Sequence, residues 1–265
     1  MLPFLDAADV AEAGALAEEH GWDGIFLAES VWGVDAWIAL AAAAMRTGRV
    51  RLGTMLTPLP RFKPWDLASR VGTVDRLSGG RAQLAVGLGA LHPGWTAFEA
   101  DTGRAERARL LDEGLAVYDG LMRGQPFEYS GSRYVVTATD FFPPEPTVQR
   151  PRVPVWVVGA YPAGRSLRRA ARWDGLVPNV RDDGGGMRGP SGPAELERVV
   201  AAVRRERVAQ GLAWDGYDVI SEGVTAPGES VRAWADAGAT WWIESNWSAD
   251  GIPALHERIV AGPPS

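Results

Sequence analysis

Short apolar and β-branched runs alternate with segments of helical periodicity along nearly the whole chain. That alternation restricts it to a parallel sheet built from strand–helix units. The runs that read as strands are residues 24–28, 50–56, 81–88, 153–159, 174–178, 218–222 and 240–244. Leu2, Pro3 and Phe4 precede a helix capped near Asp6 and ending at His20 and Gly21, and read as the tail of an eighth strand, short or truncated. Eight such units predict an α/β fold of the (β/α)8 TIM-barrel type, and 265 residues is close to its usual size. An open doubly wound sheet of seven strands with a loose N-terminal arm is the alternative. A single domain over residues 1–265 is expected.

Composition removes several classes of function. No run of eighteen apolar residues occurs, and the N-terminus has no basic stretch followed by an apolar block, so the reading is a cytoplasmic protein with no membrane partner. The absence of cysteine excludes disulfides and a thiolate nucleophile. A formal charge of −6 argues against a nucleic-acid partner. Lys63 is the only lysine, so Schiff-base chemistry would rest on that residue alone. No His, Asp and Glu group has metal-ligand spacing, and no metal is expected.

In a parallel α/β fold the loops after the strands build the active face. Glu29, Glu222 and Glu244 close three of the predicted strands and are candidate acids, against the alternative that they pair with arginines or cap helices. His92 is the one histidine on a loop of that face, a catalytic candidate or an ordinary loop residue. Trp242 shares a face with Glu244 by strand alternation, and Trp32, Trp95 and Trp247 lie on active-face loops, so together they suit a broad, flat, apolar ligand. "GLGALH" from Gly87 is only a partial dinucleotide fingerprint. Its Gly87 and Gly89 let a flat ring or a backbone come close to the end of the strand. "LSGGR" at residues 77–81 reads as a structural helix-to-strand turn, with Gly79 and Gly80 in left-handed backbone. The Gly-rich loop 179–193 reads as a mobile lid or a disordered insertion.

Two further segments bear on function. "VPVWVVGAYPAGRSLRRAARW" runs a strand into Gly159 and opens a helix at Gly164, Arg165 and Ser166. Free N–H groups, a guanidinium and a hydroxyl there suit a phosphate, whereas the bland reading makes Arg165, Arg168 and Arg169 a solvated basic face. "DAWIALAAAAMR", residues 35–46, is apolar nearly all round and predicts a homodimer interface. Residues 124–152, with "FEYSGSRYVV" as a hairpin, fall on the face where stability is the better expectation.

"EEHGWDGIFLAES", "RTGRVRLGTMLTPLPRFKPWDLA", "TVDRLSGGRAQLAVGLG", "RAERARLLDEGL", "VQRPRVPVWVVGA" and "RRAARWDGLVP", in that order and spacing, make nearly the whole chain resemble the luciferase-like flavin-dependent oxidoreductases. The resemblance implies a (β/α)8 barrel, usually dimeric, that holds FMN or a deazaflavin of the F420 type. It places Glu29 beside the ring, a non-proline cis peptide at Met55–Leu56 flanked by Thr54 and Thr57, the cofactor against Gly87, Leu88 and Gly89, and the phosphate at Gly159, Ala160, Gly164, Arg165 and Ser166. Many members have a histidine directly after the second-strand acid, where this chain has Ser30. The implied chemistry preferred here is a monooxygenase that takes reduced FMN from a separate reductase, with molecular oxygen and a small apolar organic substrate. The alternatives are a deazaflavin enzyme that transfers hydride without oxygen, and a non-catalytic flavin-binding protein.

Overall fold

The computed structural model describes residues 5–91, 94–138, 145–245 and 251–265. Predictions that rest on Leu2, Pro3, Phe4, His92 or Trp247 lie outside these residues. The chain divides into two compact units, one holding the described residues up to Glu19 together with Asp23–Pro154, the other His20–Trp22 and Val155–Ser265.

The first unit alternates helix and strand: α1 (Ala7–Glu19), β1 (Gly24–Leu27), α2 (Ala36–Ala44), β2 (Arg51–Thr54), β3 (Thr57–Pro58), α3 (Pro64–Leu77), β4 (Ala82–Gly87), α4 (Trp95–Phe98), α5 (Arg104–Arg123) and the hairpin β5 (Tyr129–Ser130) and β6 (Val135–Val136). β1, β2 and β4 run parallel, with Leu27 beside Thr54 and Leu52 beside Ala82, while β3 joins the far end of β4 with Pro58 beside Gly87. Every residue of β4 is buried, as expected of a parallel strand covered on both faces. Leu40, Leu52, Leu67, Leu84, Leu111 and Leu115 supply its core.

Local chemistry sets the boundaries. Asp35 caps α2 by accepting the Trp37 and Ile38 N–H groups at 3.0 and 3.1 Å. Pro64 starts α3, and Gly79 and Gly80 end it with φ of 70° and 92°, the left-handed backbone expected there. The predicted hairpin is present and is held on α5 by Glu113, whose carboxylate accepts the Ser132, Arg133 and Tyr134 N–H groups and the Ser132 hydroxyl. Predicted strand 50–56 stops at Thr54, and the chain pairs again only past its predicted end, as β3.

The second unit contains β7 (Val155–Tyr161), α6 (Gly164–Ala170), β8 (Gly175–Arg181), β9 (Met187–Arg188), α7 (Pro193–Ala209), β10 (Asp218–Gly223), α8 (Arg232–Asp236), β11 (Trp241–Glu244) and α9 (Ile252–Val260). β7, β8, β10 and β11 lie side by side and parallel in that order. β7 runs two residues and β8 three residues past their predicted ends. Residues 179–193 carry regular structure rather than a disordered insertion: β8 extends into them and β9 folds back antiparallel on it, Val180 facing Arg188. Asp182 closes the turn by accepting the Gly186 N–H at 2.7 Å. Glu195 in the first turn of α7 then fastens the far side, taking two hydrogen bonds from the Arg188 guanidinium and two from Ser191. Among the described residues no helix is long and apolar enough to cross a membrane.

Candidate active site

In the first unit, the C-terminal ends of β1, β2 and β4 gather the predicted residues Glu29, Thr54, Met55, Leu56, Gly87, Leu88 and Gly89. The Met55–Leu56 peptide is cis, as the resemblance implies. Thr54 and Thr57 are fully buried on either side of it. Their hydroxyl oxygens are 2.9 Å apart, Thr57 Oγ1 is 3.1 Å from Glu29 Oε1, and Thr54 Oγ1 is 3.4 Å from the Ala85 carbonyl.

Burial pushes the Glu29 carboxyl up to about 7, against the Thr57 hydrogen bond, which lowers it; the charge of Asp35 raises it, and Arg70 and the Trp37 indole lower it. Trp37 is buried, and its Nε1 is outside hydrogen-bonding geometry with any acceptor, so it acts on Glu29 as a nearby dipole rather than a bonded donor. Asp35 is itself paired with Arg70 at 2.8 Å. A half-buried acid that gains and loses a proton near neutrality is suited to general acid–base work. Thr57 and Trp37 were not singled out as site residues by the sequence, and only the spacing of the two threonines hinted at their pairing.

The tryptophans divide. Trp95 is buried, stacked between the guanidinium groups of Arg61 and Arg107 at 5.1 and 5.5 Å from its ring centroid. Gly89, with φ of 77°, is a glycine because a Cβ there would lie 2.3 Å from that ring. The flat ring that the glycine admits is therefore the protein's own. Trp32 does not line a pocket within the unit: it is 86% exposed.

In the second unit, Glu244 and Trp242 share a face, as alternation predicts, and the Trp242 indole donates to Glu244 at 3.1 Å. Register puts Glu222 beside Ile243 and Gly223 beside Glu244, so Glu222 and Glu244 point to opposite faces of the sheet. Glu244 turns to the helices, where it accepts from the Thr225 N–H and hydroxyl at 2.8 and 2.7 Å and pairs with Arg258 of α9 at 3.4 Å. Those hydrogen bonds and the Arg258 charge outweigh desolvation and hold its carboxyl below its ordinary value. Trp242 stacks on Trp234 of α8 at 5.4 Å.

At the end of β7, Gly159 packs rather than opens a site: a Cβ there would lie 2.3 Å from Leu176 and 3.3 Å from Leu167. Gly164 is different, since nothing lies within 4 Å of where its Cβ would be. The Ser166 hydroxyl accepts the Ala160 N–H at 2.9 Å and so fixes the turn before α6. Of the arginines on this helix, Arg168 pairs with Glu206 at 3.2 Å, while Arg165 is exposed and makes no hydrogen bond or ion pair among the described residues.

The luciferase-like monooxygenase family matches residues 5–258. The F420-dependent glucose-6-phosphate dehydrogenase of Microbacterium testaceum is 32% identical over 170 residues, 60% of this chain and 49% of that enzyme. The chain also matches an uncharacterised Mycobacterium tuberculosis protein at 28% identity, and spans 66% of that relative's length. Among solved structures, an F420-dependent secondary alcohol dehydrogenase in complex with an F420–acetone adduct aligns with a TM-score of 0.74 at 15% identity, over 98% of this chain and 97% of that one. The oxygenating constituent of 3,6-diketocamphane monooxygenase from Pseudomonas putida, in complex with FMN, aligns with a TM-score of 0.65 at 17% identity, over 83% and 62%. At these identities the structures speak for the fold.

Proposed function

The chain belongs to the luciferase-like monooxygenase family, and on that premise we propose that it is a deazaflavin-dependent oxidoreductase that interconverts a small apolar alcohol and its carbonyl compound. The observation that carries this reading is Glu29, a half-buried carboxyl raised to about 7 with a single hydrogen-bond donor on it. Alcohol oxidation removes a hydride from carbon and a proton from oxygen, and a base matched to neutral pH is what the second transfer requires. The bound coenzyme supplies the hydride acceptor. Glu29 takes the hydroxyl proton in oxidation and returns it in reduction.

The residues present fit such a coenzyme. Gly164 leaves open space at the start of α6, Arg165 is an exposed cation with no ion pair among the described residues, and Ser166 holds the turn, which together suit a phosphate. Met55, Leu56, Gly87 and Leu88 offer an apolar strand-end surface for a ring next to Glu29. Glu244, saturated by Thr225, Trp242 and Arg258, serves as a scaffold rather than as a proton carrier. A closed (β/α)8 barrel in one domain is the form of the fold in which we place this site.

The second reading is a monooxygenase that uses reduced FMN from a separate reductase, supported by the family's description and by the likeness to the FMN-bound Pseudomonas putida protein. Fluorescence titration with oxidised FMN, reduced FMN under nitrogen and the F420-type coenzyme separates the two, with Arg165→Ala as control. Preference for the deazaflavin, weakened at least tenfold in Arg165→Ala, is expected. Binding of reduced FMN alone would replace hydride transfer with oxygen chemistry. Coenzyme binding with no turnover on any alcohol or carbonyl would reduce the protein to a flavin carrier.

We also place a cytoplasmic homodimer on α2. Ala39, Leu40, Ala43 and Ala44 are buried in the unit, while Ile38 on the helix and Met45 at its C-cap are 66% and 68% exposed, an apolar edge suited to a second copy.

A further inference from the structure

If Glu29 is the proton carrier, the way its proton is held becomes part of the mechanism. The geometry points to Thr57 as a positioning residue: with Thr54 it forms a two-hydroxyl switch that reverses direction each time Glu29 gains or loses its proton. This inference rests on the acid–base assignment of Glu29 above.

A hydroxyl has one hydrogen to give. Thr57 Oγ1 lies within hydrogen-bonding distance of both Glu29 Oε1, at 3.1 Å, and Thr54 Oγ1, at 2.9 Å, so it can donate to only one of them at a time. When Glu29 is neutral, its O–H donates to Thr57, Thr57 donates to Thr54, and Thr54 donates to the Ala85 carbonyl 3.4 Å away. All three hydrogens then have acceptors. When Glu29 is ionised, Thr57 must turn its hydrogen to the carboxylate, and Thr54 donates either to Thr57 or to Ala85, not both. The neutral state thus keeps one more hydrogen bond, and the ionised state keeps the stronger, charge-assisted one. Both threonines are fully buried, so water does not replace a lost partner. The charged groups that bear on Glu29 from its neighbours are Asp35 at the start of α2 and Arg70 on α3, already paired with each other.

The two hydroxyls therefore work in opposite senses. Thr57→Val removes the one hydroxyl that donates to the carboxylate among the described residues and should raise the Glu29 titration midpoint, increasing proton affinity at least tenfold. Thr54→Val leaves that donor in place but removes the acceptor that the neutral state needs, and should lower the midpoint about threefold or more. A merely structural role would move both variants in the same direction.

The experiment is a carbon-13 NMR titration of glutamate carboxyl groups in the ligand-free chain, with Glu29 assigned by its loss in Glu29→Gln. Thr57→Ser is expected to restore the wild-type midpoint. Midpoints that move in the same direction, or that do not move in Thr57→Val, overturn the switch. Should the valine variants fail to fold, the wild type still decides: the Thr54 and Thr57 methyl signals are expected to titrate together with Glu29, and a Glu29 titration that neither methyl follows overturns the proposal. Because no coenzyme is present, failure of the deazaflavin reading shows up separately, as absent binding alongside an intact titration.

Discussion

Replacing Glu29 by glutamine should make the protein more stable, and only at the higher pH values. In the folded chain burial raises this carboxyl from 4.5 to about 7. Below pH 4.5 it is protonated in both folded and unfolded states and contributes no slope. Between those values the folded state holds a proton that the unfolded state has released, so stability falls as pH rises, and the loss is complete above pH 7. At about 1.4 kcal/mol for each tenfold change in proton affinity, the loss has an upper limit of about 3.5 kcal/mol, reduced by whatever solvent screens at this half-buried group. Glutamine keeps the shape and does not titrate. Urea unfolding of wild type and Glu29→Gln at pH 4.5, 6 and 8 reads the difference directly, because the other titrating groups are common to both. The gap should widen in favour of the variant between pH 4.5 and 8. Parallel stabilities would refute the raised carboxyl and with it the choice of Glu29 as proton carrier.

Other substitutions test the surrounding structure. Gly89→Ala places a methyl against Trp95 in left-handed backbone and should cost about 1–3 kcal/mol, with a change in tryptophan fluorescence. Glu113→Gln turns an N–H2 group toward donors of the β5–β6 hairpin and should cost about 2 kcal/mol at pH 7 in chemical denaturation. Hydrogen bonds from Ser132, Arg133 and Tyr134 outweigh desolvation and hold the Glu113 carboxyl at about 2; the stability it gives is present above pH 4.5 and is lost as pH falls toward 2, so this cost should shrink in acid. Trp32→Ser should alter stability by less than about 0.5 kcal/mol, given its exposure. Ile38→Arg with Met45→Glu should give a monomer by light scattering where the wild type is a dimer.

Strand order and the helix-to-strand turns were legible because periodicity and glycine chemistry are local. Gly79 and Gly80 tolerate the left-handed backbone that a helix end calls for, and the alternation of Trp242 with Glu244 places both on one face regardless of what surrounds them. Which face that is was not legible. A parallel strand covered on both sides has no polar–apolar contrast to orient it, so Glu244 could be read toward a mouth when it turns to Arg258 of α9. Gly159 has the same limit: a glycine that admits a ligand and one that admits Leu176 look alike in sequence. The pairing in the loop after β8 was not legible because it comes from Arg188 reaching Glu195 and from backbone bonds to β8, neither of which has a periodic signature.

The acids illustrate how structure ranks candidates of the same residue type. Glu18 accepts the N–H groups of Gly48, Arg49 and Val50, Asp75 those of Val148 and Gln149, Glu113 those of the hairpin turn, and Glu195 that of Ser191 together with the Arg188 guanidinium. Each sits on a helix and ties down a neighbouring segment of chain, and Glu244 does the same from a strand end for Thr225. Protonating such a carboxylate removes its charge and sets a hydrogen on an oxygen that donors face, at a cost of about 1–3 kcal/mol for each buried donor stranded. Glu18, Glu113, Glu195 and Glu244 are thereby held below the usual carboxylate range. Glu29 receives one donor, from a hydroxyl that can turn away, and its environment disfavours charge. Among these six acids it is the one whose proton can come and go without unfastening a loop, and that freedom, rather than its place at a strand end, makes it the acid for the chemistry.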